Sequence, residues 1–220
     1  MHTEGGEGVG RGGAGRGTGR GSDGGPPGGP DGGLDRGPSG GSVAGRVGSP
    51  AKDRVICALI FCVAAVAWFG WGQQGERLSA VLGIGSLLAI GATLVAIGRL
   101  RTTPGIPTMS VDAGVRRSYW FWVIAEVVLI VVGATVLSRS GRPELVPVWT
   151  LAVVGLHFLP LARVFRMPLL VGAAAGSVAA AAVALPAQAL GIAPAPTVAG
   201  LLGGAVLLLC GLLGLRPARP

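Results

Sequence analysis

Residues 119–137 read YWFWVIAEVVLIVVGATVL, nineteen residues in which Glu126 is the one charged side chain. At ~1.5 Å per residue such a helix covers the ~30 Å of a bilayer's hydrocarbon core. Residues 145–162 follow within a few positions as LVPVWTLAVVGLHFLPLA, where His157 is the one ionisable group. Two apolar segments of spanning length, joined by a short polar turn, predict a pair of antiparallel transmembrane helices.

Four more segments of the same kind flank this pair, at about 55–72, 78–98, 168–190 and 195–215. A water-soluble domain cannot bury so much continuous apolar sequence. The expected fold is therefore all-α, a bundle of six transmembrane helices over residues 55–216. Residues 1–54 are a different material, Gly-rich with Arg, Asp, Ser and Pro between, and are expected to form a disordered tail. Its Arg-Gly repeats lack the interleaved aromatics that stack on bases, so a nucleic-acid partner is not expected. The tail also lacks the pattern of a cleaved signal peptide.

The net charge of +8 is distributed in a way that speaks to topology. The tail is nearly neutral, with seven Lys or Arg against six Asp or Glu, whereas residues 55–220 carry eleven basic against four acidic residues. With the N-terminus inside, the inner segments hold Lys52, Arg54, Arg99, Arg101, Arg116, Arg117, Arg163, Arg166, Arg216 and Arg219; the outer loops hold Arg77, Arg139 and Arg142. Ten against three follows the positive-inside rule and places both termini in the cytoplasm of a bacterial inner membrane. Trp68, Trp71 and Trp149 then fall near the outer interface, and Tyr119 and Trp120 near the inner one. The longest loop, RLRTTPGIPTMSVDAGVRR at 99–117, carries two prolines and is expected to lie along the cytoplasmic surface, held by the Arg pair at each end.

Small residues mark spans able to pack closely in lipid: Gly83, Gly85 and Gly91; Gly172 and Gly176 within an Ala-rich run; Gly200, Gly204, Gly211 and Gly214. They also offer a surface for a protein partner or a second copy. Cys57, Cys62 and Cys210 show no disulfide or metal spacing and are expected as small buried apolar groups. No cofactor or metal is expected.

Glu126 and His157 are the candidate site. Glu126 lies seven residues past Tyr119, ~10 Å deep, and His157 six residues before Arg163, ~9 Å deep from the same face. Neighbouring antiparallel helices would bring them to one level. Glu126 shares its face with Leu129, Ile130, Gly133 and Ala134, and His157 shares its face with Thr150, Val153 and Pro160. Pro160 removes a backbone donor and is expected to kink its helix beside Leu156. Thr93 of the second span reaches a similar depth and is a candidate to join them.

The stretch PVWTLAVVGLHFLPLARVF, 147–165, resembles a pattern in small bacterial multi-span membrane proteins of unknown function, with a G-x-H-F-x-P-L-A core preceded by a Glu-bearing span. The resemblance covers spans three and four. It implies a compact helical membrane fold with Glu126, Trp149, His157, Phe158 and Pro160 as matching positions, and implies no activity. Three function classes stand open. One is a structural or regulatory membrane subunit with an architectural Glu–His pair; another is a small proton-coupled transporter using that pair. The third is a membrane-embedded enzyme, disfavoured because no nucleotide-binding loop, HExxH or nucleophile–base arrangement occurs.

Overall fold

In the computed structural model, residues 48–74 and 78–216 are described; the expected tail up to residue 47, Arg77 and Arg219 lie outside them. The described chain is helical, with no strand. The helices are α1 (Pro50–Trp71), α2 (Ser79–Thr102), the single turn α3 (Thr108–Val111), α4 (Ala113–Arg139), α5 (Val146–Phe165), α6 (Pro168–Ala189) and α7 (Ala195–Gly214). All but α3 are long and apolar enough to cross a membrane.

Three helices are longer than hydropathy alone predicts, for local reasons. α1 starts at Pro50, five residues early, because Ser49 is an N-cap whose Oγ accepts from the Lys52 amide and Pro50 occupies the first turn. Residues 50–54, grouped with the tail by composition, are thus the first turn of α1. α4 starts at Ala113 because the Asp112 carboxylate accepts from the amides of Gly114 (2.7 Å) and Val115 (3.1 Å). α2 continues to Thr102, where Thr102 and Thr103 hydroxyls donate to the Arg99 carbonyl. The connection from α2 to α4 is thereby reduced to residues 103–112.

That connection is tied to the start of α1. The Ser49 amide donates to the Ile106 carbonyl at 2.9 Å, and buried Asp53 accepts from both the amide and the hydroxyl of Thr108. The start of α1 therefore straps residues 104–108 across the end of the bundle.

α1, α5, α6 and α7 form the core; α2 lies against α1 and α7, and α4 packs on α5. The extremes are α7, 56 % of whose apolar window is buried, and α4, with no buried residue. α4 turns Phe121, Ile124, Val128, Val131 and Val132 outward. Water would penalise such a surface heavily, whereas hydrocarbon is its natural solvent.

The glycines sort by where their helices sit. On α7, Gly200 abuts the backbone of Gly72 and Trp68, Gly204 the ring of Phe69, Gly211 Cys62, and Gly214 Ala58. This stripe lets α1 and α7 approach closely. Gly176 meets Val206 and Gly85 meets Phe69, but Gly172, Gly83 and Gly91 have no neighbour within 4 Å. The Ala-rich run of α6 buries Ala173, Ala174, Ala180, Ala181 and Ala184. Trp68 is buried within the bundle and stacked on Trp71 at 5.4 Å. Cys62 and Cys210 are buried and free; Cys57 is half-buried, its Sγ 3.9 Å from Met167 Sδ.

Candidate functional site

The seam between α4 and α5 is made by two α5 side chains that reach across to α4. Near one end, the Trp149 indole N–H donates to the Leu129 carbonyl at 3.0 Å, and the indole fills the notch at Gly133, where a Cβ would overlap it. Trp149 is thus engaged with a neighbouring helix and not only with an interface. About two turns on, His157 Nδ1 lies 3.1 Å from the Trp122 carbonyl, and His157 Nε2 lies 3.6 Å from Glu126 Oε2. Trp122, Glu126, Leu129 and Gly133 are spaced by four, three and four, one face of a helix.

The geometry fixes a protonation rule. A carbonyl only accepts, so Nδ1 of His157 carries hydrogen and donates to Trp122. Nε2 is then an acceptor in neutral imidazole and a donor in imidazolium. Facing a carboxyl group, it meets a carboxylate unfavourably once both protons are gone; of the attractive arrangements, imidazolium–carboxylate and imidazole–carboxylic acid hold one shared proton. Either form is neutral overall, which is what hydrocarbon surroundings favour. The 3.6 Å separation is an ion-pair distance, longer than a full hydrogen bond.

Cavities flank the pair on both sides. Because α4 packs on α5 and not along α1, a cleft of about 450 Å³ is left between α1, α4 and α5, lined by Asp53, Cys57, Tyr119, Glu126, His157 and Phe158 among others. The strapped connection contributes Pro107 and Met109. Phe61 and Phe158 meet edge-to-face at 5.2 Å on its inner wall. On the other side of the seam, about 320 Å³ is lined by Trp122, Glu126, Trp149, Leu156, His157 and Pro160. Glu126 and His157 line both.

Two further candidates are committed elsewhere. Thr93 does not join the pair: α2 packs on α1 and α7, and the Thr93 hydroxyl donates to Ala89 in its own helix at 2.8 Å. The Thr150 hydroxyl likewise donates to Val146 at 2.9 Å. Pro160 borders the smaller cavity, yet α5 continues through it to Phe165. Among the described residues, no cluster of three or more His, Cys, Asp or Glu is arranged to hold a metal ion. Asp53 was missed in the sequence because it was assigned to the tail, although Ser49-Pro50 with an acid in the first turn is a helix-start signature.

A bundle of six membrane-length helices, with a Glu–His pair set inside one seam, defines the class: an integral membrane protein. No family model, no curated protein and no solved structure matches the chain.

Proposed function

We propose that this is a structural or regulatory subunit of the bacterial cytoplasmic membrane, in which the Glu126–His157 pair clamps the outlying span α4 to the bundle. The observation that carries this is the isolation of α4. It has no buried residue, and its long-range polar contacts are the Trp149, His157 and Glu126 contacts to α5. A helix so weakly packed depends on its few polar ties, and a one-proton pair makes one of those ties responsive to protonation. The positive-inside imbalance supports cytoplasmic termini. Among described residues Arg139 and Arg142 lie at one end of the bundle, and all nine other Lys or Arg at the end where α1 begins. The α7 glycines are occupied within the bundle, so association through small residues would use glycines that meet no neighbour, Gly83, Gly91 and Gly98 of α2 and Gly172 of α6.

A second reading, proton-coupled transport, is favoured by one observation: the pair borders a cavity on each side of the seam. The test is to make Glu126→Gln, His157→Ala and the double variant, and to measure both accumulation in membranes and proton flux in reconstituted vesicles. The clamp reading expects lower accumulation of His157→Ala, a small effect of Glu126→Gln, and no flux from any form. Wild-type flux that disappears in well-folded single variants would replace it with transport.

A further inference from the structure

A cavity of about 470 Å³, separate from the Glu126–His157 seam, opens at the end of the bundle where α1 begins and α7 ends. Arg54 of α1, Arg99 of α2, Arg166 after α5 and Arg216 after α7 all line it. Among the described residues, no carboxylate lines it. The nearest acid in sequence, Asp53, faces the other cavity and is bound to Thr108. Among the described residues, none of the four arginines is ion-paired. Arg166 is also the one non-glycine residue described with a left-handed backbone (φ 52°), at the tight turn from α5 to α6. That conformation is sparsely populated for residues with a side chain. The remaining wall is apolar and includes Val55, Leu169, Leu213 and Leu215.

Four arginines from four segments concentrate positive charge around one cavity, a field that favours an anion there. Guanidinium forks match the oxygens of a phosphate group, and basic pockets between transmembrane helices beside a membrane surface take anionic headgroups. We propose that this cavity binds a phosphate-bearing group at the membrane surface. The apolar wall favours the phosphodiester headgroup of an anionic phospholipid, whose glycerol and first acyl carbons would lie against Leu213 and Leu215.

The test uses the full chain purified in neutral detergent. Native mass spectrometry and thermal shift are read with phosphatidylglycerol, phosphatidylcholine, soluble glycerol phosphate and inorganic phosphate. Phosphatidylglycerol is expected to bind and raise the melting temperature, while phosphatidylcholine does neither. Arg99→Gln and Arg166→Gln should each weaken binding about fivefold, and Arg142→Gln at the opposite end should leave it unchanged. Raising salt should weaken wild-type binding, a readout independent of any variant's folding. Soluble phosphates binding as tightly as the lipid, with the same dependence on Arg99 and Arg166, would assign the site to a soluble phosphate. Equal binding of the two lipids, salt-insensitive binding, or full affinity in the arginine variants would overturn the proposal.

Discussion

The hydrogen on His157 Nδ1 is committed to the Trp122 carbonyl, so replacing either member of the pair tests the shared proton. A Gln at position 126 can still donate from its amide to Nε2, and Glu126→Gln should cost under about 1 kcal/mol. His157→Leu leaves Glu126 facing hydrocarbon without a partner and should cost about 2–3 kcal/mol. A double-mutant cycle by reversible unfolding in detergent should show coupling of about 0.6–1.7 kcal/mol; strictly additive losses would mean the two groups do not interact. At the other end of the seam, Gly133→Ala places a methyl group on the Trp149 indole. It should lower stability by about 1–3 kcal/mol, and Trp149→Leu in the same chain should recover part of the loss. An undiminished melting temperature in Gly133→Ala would show that the indole moves away freely.

Helices differ in what their small residues do, and the difference is measurable. Gly200→Ala pushes α7 off the backbone of α1 and should cost about 1–3 kcal/mol, whereas Gly172→Ala faces open space and should change stability by less than about 0.5 kcal/mol. Sequence motifs alone did not separate these cases: Gly172 and Gly176 form one small-xxx-small pair, yet only Gly176 packs. Which face of a helix meets a neighbour is set by the whole bundle, and local spacing carries no record of it. Depth was more legible than packing. Counting from Tyr119 and Arg163 placed Glu126 and His157 at one level, because helical rise is constant and charges mark the membrane boundary. Thr93 satisfied the same depth argument and lies on the wrong side, since depth fixes one coordinate and not the position around the bundle. The strap was illegible for another reason: Asp53 and Thr108 are 55 residues apart, and both sit where hydropathy reads only polar sequence. Asp53→Ala should release residues 104–108 and speed amide exchange at Thr108 about tenfold to hundredfold, with the α7 amides unaffected. Unchanged exchange at Thr108 would place the strap's stability in its other contacts.

Across the whole molecule, the two ends differ in charge, and that asymmetry should appear as orientation. Ser110→Cys and Ser140→Cys put exposed thiols at opposite ends. A membrane-impermeant maleimide added to intact cells should label position 140 and spare position 110 until the membrane is opened. The reverse pattern would invert the topology and move the arginine cavity to the outer leaflet.

The close approach of α1 to α7 also has a consequence in time. Among the six described spans, α1 is made earliest and owes its tightest partner to α7, and Ala195 emerges more than a hundred residues after Trp71. At ribosomal speeds that interval is roughly ten seconds. Through it, the groove-facing side of α1 has only lipid, a chaperone or the insertion machinery beside it. A chain cut short before Ala195 would leave Cys62 without Gly211 and Phe69 with its contact to Gly85 but not to Gly204, so that side of α1 would be lined by lipid in place of α7.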